Sequence, residues 1–500
     1  MTMPGNAGKA RLDAQALTTM LGRWPAASLP SYRLLAARIG RLADAGELPP
    51  GVMLPGERSL AAALKVSRGT VTRAYQVLRD NGRARTRPGQ GTSLAAGGSV
   101  SPAGVSAPGV SPRGSLPARR GTVVRPAADL AMAAPDCAPQ VAAALQYPGS
   151  LPHFPSRTVV TDTHGYLPLG WPELREAIAG MLTAWHGIPT NADQVLVTTG
   201  AQQALDLLIR CEVLPGQTAV TEDPTYPGAL DALRRAGARP VGVPPGDVEQ
   251  LARAVDRADG EAPALAYLVP THQSPTGLVL PAQERHQIVE LAQRHPEVMF
   301  VDDMTLADLP LAAGWYADGP QPPPLAALVP RLPNVVTVGS FSKLYWGGLR
   351  TGWIRAPEGV IARLAAAKAA ADMGATAYQQ AIIATLATEY HEDILKWRSD
   401  WLQSRYDALA GALRAHLPGW TWTPPHGGLT VWASVPGDLC GPDGRFADAD
   451  SFTRAALDRG VAVTPGSALS ASGASAHHVR LAFTLAPEEL AAAAQTLAEL

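Results

Sequence analysis

The sequence contains a lysine placed where an amine could do covalent chemistry. Lys343 follows Ser342 shortly after a β-type run at 335–338, and Arg350 comes seven residues later, behind a Gly-Gly pair. A lysine amine can form Schiff bases with carbonyl compounds. A lysine near Ser and Gly is more often a solvated loop residue, so this role depends on the groups around it.

A second feature is a candidate anion site where a strand meets a helix. Thr199 and Gly200 end a β-type run, and Ala201 and Gln202 begin a helical pattern. The first backbone N–H groups of a helix have no partner within the helix, and the helix dipole favours negative charge there. We therefore expect Gly200, Ala201 and Gln202 to bind a phosphate or a carboxylate.

Aromatic, hydroxyl and acidic side chains follow three other predicted strands. Tyr226 follows one strand, Ser274 the next, and Asp302 and Asp303 a third. Ligands of open α/β sheets bind at the carboxyl ends of the strands, so we expect these side chains to surround one site. The residues alone leave open which of the two acids faces it.

Together these groups match what pyridoxal phosphate requires from a protein. Its phosphate needs N–H donors and a cation, its aldehyde needs an amine, and its ring needs an aromatic face. Its pyridine nitrogen needs a carboxylate to stay protonated. The sequence therefore predicts a pyridoxal phosphate site.

The elements that must hold these groups alternate between strand and helix from about Leu130 onward. Short apolar runs between longer amphipathic stretches predict parallel strands with crossover helices, an α/β fold. A Pro-rich stretch from Pro310 to Pro333 interrupts this order and predicts a surface loop. Beyond about residue 385, hairpin-like pieces and a last helix indicate a smaller α+β domain. The predicted strands are Val195–Thr198, Gln217–Thr221, Ala264–Val269, Val298–Val301 and Asn334–Val338.

The order and spacing of these motifs resemble the fold-type I aminotransferases over about residues 165–485. The resemblance implies a mostly parallel large domain and a small C-terminal domain. It also implies that Lys343 is the Schiff-base lysine, that Tyr226 stacks on the cofactor ring, and that Arg480 binds an amino-acid α-carboxylate. The other predicted cofactor residues of this body are Gly200, Ala201, Gln202, Ser274, Ser340, Ser342 and Arg350.

The first 92 residues predict a different kind of module. A helix over Pro55–Lys65, an N-cap at Ser67 and a second helix to Arg79 form a helix-turn-helix pattern. The second helix of such a motif enters the DNA major groove by its N-terminal end. Three arginines between residues 83 and 87 and a Gly-rich turn at 88–92 predict a hairpin wing that rests on phosphates.

This module resembles the winged helix-turn-helix of the GntR family over about 60 residues. The segments that carry the resemblance are Leu48–Leu60, Val66–Tyr75 and Gly89–Thr92. The resemblance implies that Arg58 contacts phosphate and that Arg68, Thr70 and Thr72 face DNA. The predicted DNA-binding residues are Arg58, Ser67, Arg68, Thr70, Thr72 and Arg73.

Winged helix, linker and aminotransferase-like body in this order resemble the MocR family of transcriptional regulators, also called the GabR type. Counted without a gap from the loop at 272–277, the family's pyridine-binding acid falls on Asp302. Met304 stands where many members have a tyrosine, Ser274 where ordinary aminotransferases have asparagine, and Gly347 where many relatives have proline. We therefore expect cofactor binding to be better retained than transamination.

Charge divides the chain in the same way. Residues 1–92 hold 14 Lys and Arg against 5 Asp and Glu, or +9, and the remainder hold 28 against 38, or −10. Residues 93–128 contain 6 Gly, 5 Pro, 6 Ser and no acid, which predicts a flexible linker. We predict a DNA-binding domain at 1–92, the linker at 93–128 and a cofactor-binding domain at 129–500, with a large domain at about 165–385 and a small domain at about 386–500.

The composition also excludes some classes of protein. No apolar run reaches the roughly 18 residues of a membrane-spanning helix, and the first residues lack a signal-peptide pattern, so we expect a cytoplasmic protein without a membrane partner. Cys137, Cys211 and Cys440 are far apart and form no C-x-x-C pair. They indicate neither a disulfide framework nor a metal site.

Three functions fit these observations. The first is a transcriptional regulator that senses an amino compound through pyridoxal phosphate and, as a homodimer, binds paired half-sites in double-stranded DNA. The second is an active aminotransferase with an accessory DNA-binding module, and the third is a regulator that senses pyridoxal phosphate itself. The helix that begins at Ser67 and the charge of +9 favour a regulator, since an enzyme needs neither.

Overall fold

The structure is a computed structural model that describes residues 12–21, 31–44, 48–49, 51–80, 84–87, 91–94, 126–151, 164–256, 262–311, 321–441 and 444–500. The chain divides into two units, Met1–Pro112 and Arg113–Leu500. Residues 95–125, which make up most of the predicted linker, lie outside the described residues, as do Arg83 and the predicted wing tip at 88–90.

The N-terminal unit is a helical bundle with a two-stranded hairpin. Helix α3 ends where Lys65 takes a left-handed backbone conformation (φ +55°), so that the next helix begins after a short turn. Leu60, Val71 and Tyr75 are buried in a common core, which matches the predicted winged helix-turn-helix. The described elements are α1 Ala14–Leu21, α2 Ser31–Asp44, α3 Glu57–Leu64, α4 Arg68–Asp80, β1 Ala84–Arg87 and β2 Gly91–Leu94.

The hairpin is fixed to both sides of the helix-turn-helix. In its antiparallel register Ala84 pairs with Leu94, and both side chains are buried. The backbone N–H of Leu94 donates to the Val52 carbonyl at 2.9 Å. Arg79, near the end of α4, donates through Nη1 to Thr86 Oγ1 at 3.0 Å. The wing is therefore hydrogen-bonded to α4, the second helix of the motif, and to the segment that precedes α3, the first helix of the motif.

The C-terminal unit is built on a seven-stranded mixed sheet. One strand, β10, runs antiparallel to both neighbours, and the remaining adjacent pairs are parallel. The five predicted strands are present, and their ends differ from the predicted ends by at most two residues. The strands β6 and β10 were not predicted, because proline and glycine interrupt β6 and glycines precede and begin β10. In spatial order the strands are β4 Val195–Thr198, β10 Gly352–Arg355, β9 Val335–Ser340, β8 Met299–Asp303, β7 Leu265–Leu268, β5 Thr218–Glu222 and β6 Arg239–Val243.

Helices cover both faces of this sheet. Along β8, Phe300 belongs to the core on one face, while Met299 and Val301 belong to the core on the other. This alternation places consecutive residues of a strand on opposite sides. The helices of this region are α5 Pro139–Gln146, α6 Pro172–His186, α7 Ala201–Glu212, α8 Pro227–Arg235, α9 Val248–Asp256, α10 Ala282–Arg294, α11 Leu325–Leu328 and α12 Glu358–Asp372, with 3-10 turns at Pro148–Ser150, Ala192–Gln194 and Gly347–Leu349.

A second, four-stranded antiparallel sheet lies in the C-terminal part, in the order β11, β12, β15 and β14. A separate two-residue strand near the start of the body, β3 Ala128–Asp129, pairs in parallel with β13 and so ties that segment to the C-terminal part. The elements are α13 Ala377–Glu389, α14 His391–His416, β11 Thr421–Trp422, β12 Thr430–Ser434, α15 Ala449–Asp458, β13 Val461–Ala462, β14 Thr464–Pro465, a 3-10 turn at Gly466–Leu469, β15 His478–Ala482 and α16 Pro487–Ala498.

The Pro-rich stretch between residues 310 and 333, predicted to be a surface loop, is partly a buried element. Leu325 and Ala326 of α11 have exposures of 1% and 0% and pack into the core of the large domain. Proline can begin a helix because its missing N–H would have no partner there, and Pro324 directly precedes α11. The surface prediction was therefore wrong for this part of the stretch.

The described part of the chain contains no helix with both the length and the apolar character needed to cross a bilayer. Over the same residues, no group of three or more His, Cys, Asp and Glu side chains is arranged to hold a metal ion. Cys137, Cys211 and Cys440 are unpaired.

Candidate functional site

The predicted anion-binding residues, Gly200 to Gln202, lie at the N-terminus of α7. Gly200 precedes the helix with φ 91° and ψ 168°, a conformation that is almost restricted to glycine. A Cβ atom at this position would lie 3.0 Å from Arg350 Nη2. Arg350 in turn donates from Nη2 to the Thr199 carbonyl at 3.0 Å. The missing side chain thus lets a guanidinium lie close to a helix N-terminus, and these are two kinds of group that bind phosphate.

Ser340 and Ser342 lie at the same edge of the sheet. Ser340 ends β9 opposite Gly352 of β10, and Gly352 also pairs with Thr198 at the end of β4. The Ser340 hydroxyl lies 3.0 Å from Ser342 Oγ and accepts from the Ser342 N–H at 3.1 Å. Two hydroxyls therefore lie at the same edge of the sheet as the N-terminus of α7, and their contact with an anion stays a prediction.

Lys343 lies in the turn after β9, close to the anion site. Its Nζ donates to the Ala133 carbonyl at 2.7 Å. Burial lowers the pKa of Lys343 from 10.5 to about 8, and the positive charges of Arg480 and Arg350 add to this effect. A larger fraction of this amine is therefore neutral near pH 7 than of an ordinary lysine, and the neutral form is the one that attacks an aldehyde.

Tyr226 directly precedes α8 and is tied to the first turn of α7. Its hydroxyl donates to Gln202 Oε1 at 3.0 Å, and Gln202 Nε2 donates to a backbone carbonyl two residues beyond Tyr226, also at 3.0 Å. Burial raises the pKa of Tyr226, and Asp303 adds to the shift, whereas Arg480 and Arg350 oppose it. The ring thus lies within the electrostatic reach of three other groups near the site.

Asp302, the predicted partner of the pyridine nitrogen, is buried on the face of β8 that carries Phe300. Its Oδ2 accepts a hydrogen bond from the Leu325 N–H at 2.9 Å. Burial raises the pKa of Asp302 to about 6, and the charge of Arg285 opposes this shift. Arg285 is fully buried and was not predicted from the sequence, because an arginine in an amphipathic helix usually faces solvent.

Asp303 lies on the opposite face of β8. It accepts a hydrogen bond from the Tyr267 hydroxyl at 2.6 Å, and burial raises its pKa. Asp303 also acts on the pKa of Tyr226, the predicted stacking residue. The structure therefore turns Asp303 toward the side of the sheet that Tyr226 occupies, and the contact of Asp302 with a pyridine nitrogen stays a prediction.

Ser274 is half-buried in the loop between β7 and α10. The preceding residue, Gln273, joins this loop to the loop of Tyr226. Its Nε2 donates to Glu222 Oε2 at 3.1 Å and to the Pro224 carbonyl at 2.8 Å. Burial raises the pKa of Glu222 to about 7. These bonds hold the two loops side by side, while a contact between Ser274 and a cofactor stays a prediction.

Arg480, the predicted carboxylate-binding residue, lies on β15 and is only 8% exposed. It donates through Nη2 to the Ala131 carbonyl at 2.7 Å and to Thr464 Oγ1 at 3.1 Å. Its buried Nε has no hydrogen-bond partner among the described residues. Burial lowers the pKa of Arg480 to about 10, so the side chain remains charged at neutral pH. A charged donor with an unpaired N–H is suited to bind a carboxylate.

The segment 131–133 covers both Lys343 and Arg480. Its carbonyl oxygens accept hydrogen bonds from the two side chains, across sequence separations of 210 and 349 residues. This segment was not predicted from the sequence, because every residue has a backbone carbonyl and no residue type marks one that binds a distant side chain. A ligand that binds both Lys343 and Arg480 therefore competes with this segment.

In the N-terminal unit, Ser67 directly precedes the predicted recognition helix α4 and caps it. Its Oγ accepts from the Thr70 N–H at 3.1 Å and lies 2.9 Å from Thr70 Oγ1. This is the usual bond of an N-cap serine. Both hydroxyls are thus engaged in capping, and their contacts with DNA stay predictions.

The other predicted DNA-binding residues are arranged around the same helix end. Arg58, Arg68 and Arg73 are exposed. The guanidinium of Arg73 lies over an aromatic ring of α2, 5.9 Å from its centre. Arg68 and Thr72 both hydrogen-bond to Glu57, a residue that was not predicted to take part. The arrangement presents several cations to solvent, and their contacts with DNA stay predictions.

Two family models match the chain. Residues 136–497 match the family described as aminotransferase class I and II, and residues 28–94 match the bacterial regulatory proteins of the gntR family. The chain belongs to the aminotransferase class I and II family. One relative, the uncharacterized HTH-type transcriptional regulator YisV of Bacillus subtilis (strain 168), is 30% identical over 422 residues, which cover 80% of this chain and 83% of that protein.

A further relative agrees with the predicted MocR type, and a solved structure agrees with the predicted fold of the body. The probable rhizopine catabolism regulatory protein MocR of Rhizobium meliloti is 29% identical over 344 residues, 66% of each chain. The crystal structure of LysN, an alpha-aminoadipate aminotransferase from Thermus thermophilus complexed with N-(5'-phosphopyridoxyl)-L-leucine, is 27% identical with a TM-score of 0.63 and covers 74% of this chain and 91% of that chain. The predicted fold class and the MocR-type combination are confirmed, while the domain boundaries stay predictions.

Proposed function

We propose that this chain is a DNA-binding transcriptional regulator that senses an amino compound through pyridoxal phosphate. The observation that carries the proposal is that one chain contains two sets of groups, the first suited to bind pyridoxal phosphate and the second suited to bind DNA. Lys343, with its pKa lowered to about 8, lies beside an anion site. The winged helix presents exposed cations in a segment with a net charge of +9. An enzyme does not need the second set, and a plain repressor does not need the first.

The residues of the body fit pyridoxal phosphate. The helix N-terminus at Gly200 and the Arg350 guanidinium beside it offer the phosphate N–H donors and a cation. Lys343 offers the amine, and Tyr226 offers an aromatic face that Gln202 holds in place. When bound, the cofactor supplies an electrophilic carbon and an electron-withdrawing ring. Toward it, the protein supplies a partly neutral amine, fixed N–H donors and cations, and a buried carboxylate.

The class of effector follows from Arg480. Its charge and its unpaired Nε favour an amino compound that carries a carboxylate. Such a ligand would replace the Ala131 carbonyl on Arg480. The segment 131–133 follows β3, which pairs with β13 of the C-terminal part. Release of these carbonyls is therefore a route by which ligand binding changes the geometry of the body, provided that the ligand favours one of two arrangements.

The regulator acts as a homodimer in the cytoplasm and binds an operator in double-stranded DNA. Two winged helices, one from each subunit, read two half-sites related by the symmetry of the dimer. The cations at 58, 68 and 73 are those expected to contact the duplex. Because phosphate contacts dominate such binding, its affinity should depend strongly on salt.

An active aminotransferase is the second candidate, and one observation favours it. Lys343, Arg350 and Arg480 are all present in a body that shares its fold with the aminotransferase LysN over 74% of the chain. Met304, two residues after Asp302, has no hydroxyl to offer a phenol oxygen, which weighs against full catalysis. Repeated turnover would distinguish this function from sensing.

DNA binding is tested with full-length protein and a labelled duplex from its own upstream region, compared with a random-sequence duplex of equal length. The upstream duplex should bind more tightly, with an affinity that falls steeply as salt rises. Equal affinity for both duplexes would contradict the regulator. Repeated turnover of an amino donor and a keto acid would favour the enzyme instead, whereas a spectral change without turnover supports the sensor.

The cofactor assignment is tested by spectroscopy. Lys343→Ala should lose the visible absorbance of protein-attached pyridoxal phosphate, because no other amine occupies this position. Lys396→Ala, which changes an exposed lysine of α14, is the matched control and should keep the absorbance. An unchanged spectrum in Lys343→Ala would show that another amine holds the cofactor.

A further inference from the structure

Glu57, at the first position of α3, contacts the helix that carries the predicted DNA-binding residues. Its Oε2 accepts a hydrogen bond from Thr72 Oγ1 at 2.8 Å and forms an ion pair with Arg68 Nε at 3.4 Å. Arg68 and Thr72 lie about one turn apart at the N-terminal end of α4. A single carboxylate oxygen therefore connects the first helix of the motif to two side chains of the second.

The contact leaves the outer end of Arg68 available. Glu57 binds Nε, and within the described residues Nη1 and Nη2 have no hydrogen-bond partner. The Arg68 side chain is 59% exposed and that of Glu57 is 28% exposed, so the carboxylate is the more buried partner. A guanidinium fixed at Nε presents its terminal N–H groups as a fork, and such a fork can bind O6 and N7 of guanine.

Thr72 is held by the same oxygen. Its hydroxyl has one proton, and both Glu57 Oε2, at 2.8 Å, and the Arg68 carbonyl, at 3.1 Å, are within reach of it. Without Glu57 the hydroxyl would bond the carbonyl of its own helix, as threonines within helices often do. The orientation of a second DNA-facing side chain thus depends on Glu57.

We propose that Glu57 is a positioning residue that sets the base-pair preference of the winged helix by holding Arg68 and Thr72 in a fixed orientation. The proposal rests on the proposed DNA-binding function. A carboxylate at this place also repels phosphates, so Glu57 has two effects of opposite sign. It lowers the affinity for any duplex and raises the preference for one sequence over others.

Glu57→Gln separates these effects, because it keeps an oxygen for Thr72 and removes the charge that fixes Arg68. The affinity for a random-sequence duplex should rise, and the dependence of log affinity on log salt should steepen by up to about 1, since Arg68 becomes free to pair with a phosphate. The preference for a duplex that wild-type protein enriches from a random library should fall about tenfold, the contribution of one bidentate base contact.

Fluorescence anisotropy with full-length protein at several salt concentrations measures both quantities. Asp13→Asn is the matched control, because it removes one negative charge from the same unit. Its side-chain oxygen can keep the bonds that Asp13 accepts from the N–H groups of Gln15 and Ala16 at 2.9 and 3.3 Å. This variant should leave the preference unchanged. In an Arg68→Ala background, Glu57→Gln should also no longer lower the preference.

An unchanged preference in Glu57→Gln would overturn the proposal. A proportional loss of affinity for both duplexes, together with a lower unfolding temperature, would overturn it as well, because that pattern belongs to a contact that only stabilises the fold. If wild-type protein enriches no sequence from the library, the proposed DNA-binding function itself fails. The two failures are therefore distinguishable.

Discussion

A single methyl group can test the phosphate site. Gly200→Ala would place a Cβ atom 3.0 Å from Arg350 Nη2 and force alanine into a φ of +91°. The backbone conformation costs about 1–3 kcal/mol for a residue other than glycine. The added atom also forces the guanidinium to shift by a few tenths of an ångström from the position in which it donates to the Thr199 carbonyl. The variant should therefore lose both stability and affinity for pyridoxal phosphate.

Gly216→Ala provides a matched control. Gly216 has a similar φ of +93°, but an added Cβ atom would meet no atom within 4 Å. Both variants should lower the free energy of unfolding by about 1–3 kcal/mol. Gly200→Ala alone should weaken the binding of the cofactor, by about tenfold or more. A charge-assisted hydrogen bond contributes about 1.5–3 kcal/mol, and about 1.4 kcal/mol corresponds to a factor of ten in affinity.

The assay is an absorbance titration of pyridoxal phosphate into the cofactor-free full-length protein, with urea unfolding followed by circular dichroism. The stability measurement shows whether the two substitutions strain the backbone equally. Equal cofactor affinities in the two variants would refute the assignment of the phosphate to the helix N-terminus at Gly200 and to Arg350. A loss of affinity confined to Gly200→Ala supports it.

Three further predictions concern charged groups of the site. Since the pKa of Lys343 is lowered to about 8, the rate of pyridoxal phosphate attachment should rise about tenfold per pH unit and level off above pH 8; a continued rise toward 10.5 would indicate an ordinary lysine. Arg480→Ala should weaken the binding of an amino acid about 10- to 100-fold relative to the binding of the matching amine without a carboxylate. The surface variant Arg459→Ala should not have this effect. Equally weakened binding of both ligands would contradict the carboxylate role. Asp302→Asn should weaken the binding of the cofactor more than Asp303→Asn, which the same absorbance titration measures. The opposite order would assign the pyridine contact to Asp303.

Much of the site was predictable because its residues follow the ends of strands. Buried strands are visible as short runs of Val, Leu and Ile, and the polar residue after each run marks the edge of the sheet. Gly200 and Tyr226 lie at two such ends, and Lys343 follows a third. Local pattern therefore identified the groups, because the topology of a parallel sheet brings such ends to one edge.

Contacts between distant segments could not be predicted in this way. The carbonyl of Ala133 lies 210 residues from Lys343, and no side-chain type marks it. The N–H of Leu325 reaches Asp302 from a Pro-rich stretch that predicts a loop. Glu57 is typical of an acid in the first turn of a helix, where the helix dipole alone accounts for it. Its contact with α4 depends on how two helices pack, which the sequence pattern does not contain.

The charges of the site explain how a body with a net charge of −10 can bind an anion. Lys343, Arg350 and Arg480 lie close enough that the two arginines help to lower the pKa of the lysine to about 8. An anion bound at Arg350 offsets this repulsion, so by linkage it must raise the pKa of Lys343. Inorganic phosphate should therefore slow attachment of the cofactor in two ways, by occupying the space beside Gly200 and by returning the amine to its protonated form. The second effect moves the pH at which the attachment rate levels off to a higher value, which simple competition for the space would not do.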